Sequence, residues 1–291
     1  MAHARAPFFF APALPAESNP PVVDWTHWHN EPLLIGALVT AVWAYALSVG
    51  PWRHRIAPNA ELPRWEIVRF CSGVLVFFLA VGSPLDQIGE RYLFSAHMLQ
   101  HMIIVYAAAS LLLSGLPTWL VDRPLNHRAI REVGRILFVP VVAAVIYALC
   151  ISIWHVPVAY ELALRDKLVH VAQHLMFLAV SLAFWWPLAS PSAIIPRRPP
   201  GVQVLYIFAV GVLQFPLVAF LNFSREALYP TYAFAPRLLD LTPREDQVLG
   251  GALMGVGGMF ISLGLIGRAF YSWAGQSAAS EPSPAVLASH S

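Results

Sequence analysis

Apolar residues gather into seven long runs along the chain, separated by short polar connections. The runs cover about Leu33–Gly50, Ile67–Gly82, Leu93–Leu116, Ile136–Trp154, Leu168–Leu188, Val202–Phe223 and Val248–Phe270. A helix needs about 20 residues, within a range of about 17–25, to cross the hydrocarbon core of a bilayer. Strands with open edges would leave backbone groups unpaired in lipid, so each run reads as a helix. The pattern therefore predicts an all-α, polytopic membrane protein with seven transmembrane helices in one membrane domain, residues 24–272. Residues 1–23 hold one Arg and an apolar stretch broken by Pro7 and Pro15, a poor signal peptide. They are expected to form a mobile N-terminal tail. Residues 273–291, rich in Ser, Ala and Pro, are expected to be a disordered C-terminal tail.

Basic residues set the orientation. The first connection holds Arg53, Arg55 and Arg64, with Arg69 just beyond; the third holds Arg123, Arg128, Arg131 and Arg135; the fifth holds Arg197 and Arg198. The second and fourth are mixed, with Asp86, Glu90 and Arg91 in one and Glu161, Arg165, Asp166 and Lys167 in the other. The sixth balances three Arg against Glu226, Asp240, Glu245 and Asp246. Odd connections are thus expected in the cytoplasm, which puts the N-terminus outside and the C-terminus inside.

Composition agrees with a lipid environment. The chain is 58% hydrophobic and 12% charged, against about 25% charged residues in a soluble domain. A net charge of +2, with no basic run interleaved with aromatics, argues against nucleic acid as a partner. Cys71 and Cys150 lie in different apolar runs and form no CxxC, so no disulfide framework or thiolate cage is expected.

The candidate chemistry lies in two matching stretches, His97-Met98-Leu99-Gln100-His101 and His170-Val171-Ala172-Gln173-His174. Each reads His-x-x-Gln-His near the start of a span. Residues four apart on a helix share one face, so each stretch presents two imidazoles side by side. In the expected orientation the third and fifth spans both enter from outside, and His155 ends the fourth span on the same side. His27 and His29 precede the first span there too. Seven of the eleven histidines converge on one face; His3, His54, His127 and His290 fall in tails or basic loops.

Ionisable residues in a span are costly and mark function by default. Neutral imidazole is the commonest metal ligand and suits copper, zinc and iron. His97, His101, His170 and His174 are therefore candidate metal ligands. His155 is a weaker one, since Trp-His-Val-Pro at a helix end also reads as an interfacial anchor. His27 and His29, beside Trp25 and Trp28, suit an aromatic belt. The competing account has the imidazoles bonding across helices as structural glue. Gln100, Gln173, Asp86, Glu90 and Asp166 are expected as outer groups that orient the rings. Asp246 and Gln247, opening the seventh span, are expected near the cluster. Met98 and Met102 are thioethers beside the candidate ligands, although methionine in an apolar helix is ordinary filling. Gly250, Gly251, Gly255, Gly257 and Gly258 are expected to allow close helix approach, because a phosphate loop has no place inside a span. No nucleophile elbow, Walker sequence or HExxH occurs, so an enzyme is not expected.

At Ser83-Pro84-Leu85-Asp86 and Phe94 to Met102 the chain resembles the CtaG-type cytochrome c oxidase assembly factors. His155 with Pro157, the His170 to His174 repeat, and Asp246-Gln247 ahead of the glycine-rich run strengthen the resemblance, which covers about residues 24–272. It implies a multi-pass protein of the bacterial plasma membrane that helps mature a haem–copper oxidase, a role tied to copper delivery to an oxidase subunit. The single-span chaperones that share the name carry a Cys motif missing here. The combined expectation is an outer-leaflet copper site built from His97, His101, His170 and His174, with His155 as a further candidate ligand. Three other readings stand beside it: a b-type haem protein with axial histidines from two spans, a metal-ion transporter, and a metal-free assembly scaffold.

Overall fold

The computed structural model describes residues 23–26, 28 and 32–280, and side chains as far as residue 275. All regular structure among these residues is helical. Six helices are long and apolar enough to cross a membrane: Pro32–Val49, Arg64–Gly82, Phe94–Ser114, Lys167–Ala189, Pro200–Phe223 and Pro243–Gly275. A seventh, Pro140–Trp154, is shorter and meets Arg128–Leu137 at a bend of 71°. With the seventh included they are the first to seventh spans in chain order. Large apolar side chains on the spans point outward, among them Val141, Leu205 and Phe208. Asp86, Gln100, Gln173 and Asp246 are buried. That inversion suits a protein whose surroundings are as apolar as its core.

The fourth span differs from the expected 136–154. Ile136 and Leu137 belong to the amphipathic helix before it, and the span itself begins at Pro140. Proline at the first helical position lacks the N–H that would continue the preceding helix, and it drives Val139 into extended backbone. The other end of the chain also departs from expectation. The last helix runs on to Ser280, past residue 273 where an irregular tail was expected, because alanine-rich sequence favours helix. The rest of that tail, like residues 1–22, lies outside the described residues.

The third span is central, packing on the second, fifth and seventh. Its approach to the second is close enough to exclude a side chain at Gly115. A Cβ there would sit 2.5 Å from Phe70 N and 2.7 Å from Phe70 Cα, and the Gly115 carbonyl accepts the Tyr45 hydroxyl from the first span. Backbone cannot swing aside as a side-chain tip can. Gly115→Ala is expected to destabilise the bundle by about 1–3 kcal/mol, as overpacking does, read by thermal unfolding in mild detergent; an unchanged transition would count against the close approach.

Two spans contain a π-helical segment: Ile103–Ala108 in the third and Leu253–Gly257 in the seventh. The wider turn misaligns the local carbonyls, and the Trp185 indole of the fifth span donates to the Val105 carbonyl at 2.9 Å. At one end of the bundle three short helices, Pro84–Arg91, Pro157–Arg165 and Pro230–Ala233, connect the second span to the third, the fourth to the fifth and the sixth to the seventh. They form a roof over the histidines.

Candidate metal centre

The third span is held at its N-terminus by Asp246. This carboxylate, in the first turn of the seventh span, accepts from Phe94 N at 2.6 Å, Ser95 N at 3.2 Å and Ser95 Oγ at 2.5 Å. An anion there satisfies donors that a helix start leaves orphaned. Gly250, one turn further along the seventh span, has no Cβ to collide with the Phe94 ring. These contacts place the one-turn pair His97 and His101. The fifth span is capped within itself, since Asp166 accepts from Leu168 N at 2.8 Å and Val169 N at 3.2 Å. Asp166 is therefore exposed and helix-capping, not one of the groups that orient the rings as expected.

The two pairs face each other. Nε2 of His97 lies 2.8 Å from Nε2 of His101, and Nε2 of His170 lies 3.1 Å from Nε2 of His174. The His97 and His170 rings stack with centroids 5.4 Å apart, and those of His101 and His174 are 5.5 Å apart. All four side chains and His155 are buried. His101 and His174 each stand seven residues past the start of their span, Phe94 and Lys167. At 1.5 Å per residue that is about 10 Å along each helix from its start, so the cluster lies inside the bundle and under the roof.

Hydrogen-bond bookkeeping settles which nitrogen faces inward. The Tyr232 hydroxyl donates to the Gly89 carbonyl at 2.7 Å, which uses its only proton. Toward His97 Nδ1, 3.0 Å away, and Tyr160 Oη, 3.0 Å away, it can only accept. His97 thus carries its proton on Nδ1. His155 Nδ1 lies 2.7 Å from the Ile151 carbonyl, so it too is the donor. His170 Nδ1 lies 3.0 Å from a Glu90 carboxylate oxygen. With the proton on Nδ1, the lone pair of His97 and of His155 falls on Nε2. Three unrelated acceptors, a phenol, a carbonyl and a carboxylate, hold Nδ1 of these three rings, as outer-shell partners do for metal-binding histidines.

Further groups complete the cluster. Gln100 Nε2 donates to Asp86 and to the Ala80 carbonyl. Glu161 accepts from Thr231 N at 3.0 Å and Thr231 Oγ1 at 2.9 Å, fixing the roof helix that carries Tyr232. Tyr229 Oη donates to the His155 carbonyl at 2.8 Å. Burial pushes the Tyr160 and Tyr232 phenols well above their ordinary range, so both stay neutral and keep their protons. By contrast, His101 Nδ1, Gln100 Oε1 and both amide atoms of Gln173 are buried without a hydrogen-bond partner. Native interiors seldom leave such groups unmet, and here they surround the imidazoles.

Two overlapping sets place one ligand atom from each member within 4.8 Å of the others: His97, His101 and His174, and Asp86, His170 and His174. His174 belongs to both. Imidazole nitrogens with one carboxylate suit a first-row transition ion. A cavity of about 50 Å³ adjoins the cluster and runs between the spans past His101, His155, Met102, Met254, Tyr106 and Tyr147.

The paired histidines and His155 are thus brought together as expected. His27 and His29 lie outside the described residues. Asp246 and Gln247 are near the cluster but hold backbone: Gln247 bridges Leu228 N and the Leu221 carbonyl. Cys150 is buried yet belongs to neither ligand set. Sequence reasoning missed Tyr160, Tyr229 and Tyr232, whose spacing carries no metal-site pattern.

The family model described as cytochrome c oxidase caa3 assembly factor matches residues 43–276, a stretch that includes every residue of the cluster. No curated protein and no solved structure matches the chain.

Proposed function

Because the chain belongs to the cytochrome c oxidase caa3 assembly factor family, we propose that it binds copper at the histidine cluster and passes it to an oxidase subunit. Four buried imidazoles from two facing spans, joined through His174 into two overlapping ligand sets, carry this reading. Structural imidazoles need only one satisfied hydrogen bond each. A cluster in which outer partners hold Nδ1 of His97 and His170 while their Nε2 atoms face neighbouring imidazoles is arranged for a cation. His97, His101, His170 and His174 are the ligands in this reading, with Asp86 and His155 at its edges.

Copper is cargo here, and the chain acts by binding and release without catalysing a reaction. Imidazoles without thiolates favour an exchangeable site, which transfer requires. The basic connections at the far end of the bundle belong in the cytoplasm by the positive-inside rule, so the cluster opens to the extracytoplasmic side of a bacterial plasma membrane. Its partner there is a subunit of the oxidase.

The test is anaerobic Cu(I) loading of the purified protein, followed by metal analysis and competition with a chelator. At least one retained equivalent without a Soret band is expected. Tyr232→Phe, which removes the acceptor for His97 Nδ1–H, is expected to weaken retention about 10- to 100-fold, the usual effect of losing an outer partner. Failure of the wild-type protein to retain copper would overturn the proposal.

A further inference from the structure

Met98 and His155 meet in a contact that protein groups alone leave unfavourable. His155 donates its Nδ1 proton to the Ile151 carbonyl, so its Nε2 bears a lone pair. That Nε2 lies 3.3 Å from Met98 Sδ, and a thioether has no proton to offer. Met98 is fully buried and His155 is 1% exposed, so neither atom has bulk water to turn to. Two electron-rich atoms therefore face each other with no donor between them.

A cation held by both would convert this contact into two bonds. A first-row ion sits about 2.0–2.1 Å from an imidazole nitrogen and about 2.3 Å from sulfur. With those bond lengths, a nitrogen–sulfur separation of 3.3 Å closes at an angle of about 100° at the metal, within the range of a distorted tetrahedral or open site. Sulfur selects a soft ion, and Cu(I) is the physiological one that thioethers prefer. The surroundings offer more of the same chemistry, because Met102 and Met254 line the cavity that His101 and His155 also border. Gly250 leaves room for Met98 to hold its position, since a Cβ there would come 3.1 Å from Met98 Cγ.

We propose that Met98 Sδ and His155 Nε2 form a separate thioether–imidazole subsite for Cu(I), set beside the paired histidines and continuous with the methionine-lined cavity. The inference rests on the reading of the cluster as a copper-handling site and deepens it by fixing the oxidation state and adding a second position. His101 borders both, so Cu(I) moves between them by ligand exchange, one imidazole leaving as the thioether binds. No electron is transferred.

The test is copper K-edge X-ray absorption on the full-length protein in detergent, loaded anaerobically with two equivalents of Cu(I). The wild-type spectrum is expected to contain a sulfur scatterer at about 2.3 Å beside nitrogen. Met98→Leu, close to volume-neutral, is expected to lose that scatterer and roughly one equivalent of copper while keeping a nitrogen-only shell and an unchanged unfolding transition. A nitrogen-only shell in the wild type, or sulfur that survives in Met98→Leu, would overturn the subsite alone. Absence of any bound copper would overturn the histidine site with it. Ag(I) loading supplies a second readout: silver retention is expected to fall in Met98→Leu, while Zn²⁺ retention stays the same.

Discussion

Replacing His97, His101, His170 and His174 together by Ala is expected to strip the proposed copper site and to lower active caa3 oxidase more than tenfold in cells that depend on this chain. The four rings form two pairs whose Nε2 atoms touch, and His174 is shared by both ligand sets. Removing one ring leaves at least two imidazoles within reach of an ion, so single variants are expected to weaken retention without abolishing it. Groups acting as a unit respond non-additively. The quadruple variant also removes buried volume at the centre of the fold, which costs stability. Its unfolding transition therefore has to be measured beside its copper content. A second variant with Gln at all four positions keeps polarity and most of the volume but loses the imidazole lone pairs. Loss of oxidase in both variants, with folded protein in the membrane, supports the copper reading. Normal oxidase activity in a folded, copper-free variant would move the family role to a metal-free scaffold.

The features that lipid imposes were legible in the sequence. A span must be long and apolar whatever it packs against, so six runs appear as helices, five within about three residues of their expected bounds and the last extended at both ends. The fourth was misjudged because hydropathy counts apolar residues and ignores that Pro140 ends one helix and begins another at a bend of 71°. The His-x-x-Gln-His pairs were legible because four-residue spacing is a local property of one helix. Their partners were not. Tyr232 stands 135 positions from His97 and Asp246 stands 152 from Phe94, and only the folded bundle brings them together. The π-helical segments and the contact of Met98 with His155 are likewise products of packing between spans. Asp166 shows the opposite error. Its nearness to His170 in sequence suggested a role beside the ring, whereas an Asp just before a span is first of all an N-cap.

That dependence on distant partners makes Asp246 the most sensitive position outside the ligands. Asp246→Ala is expected to destabilise the protein by about 3 kcal/mol and to weaken copper retention as well. The carboxylate is wholly buried and accepts three hydrogen bonds at the start of the third span. Truncation leaves those donors in an interior without water, and an unmet buried donor costs about 1–3 kcal/mol. The Ser95 hydroxyl can rotate to another acceptor, which limits the loss; Phe94 N and Ser95 N cannot. The effect reaches the site because His97 lies one turn beyond this cap, and because Phe94 stacks on Tyr229 with ring centroids 5.0 Å apart. Tyr229 in turn holds the His155 carbonyl. Asp246→Asn separates charge from hydrogen bonding. Its single carbonyl oxygen can still accept from Phe94 N, so a loss of about 1–2 kcal/mol is expected, with copper retention closer to wild type. Unfolding in mild detergent and chelator competition on the same samples read both effects. Equal stability in Asp246→Ala and wild type would show that the third span holds its position without this cap, and the order of effects, Ala worse than Asn in both assays, is what the geometry requires.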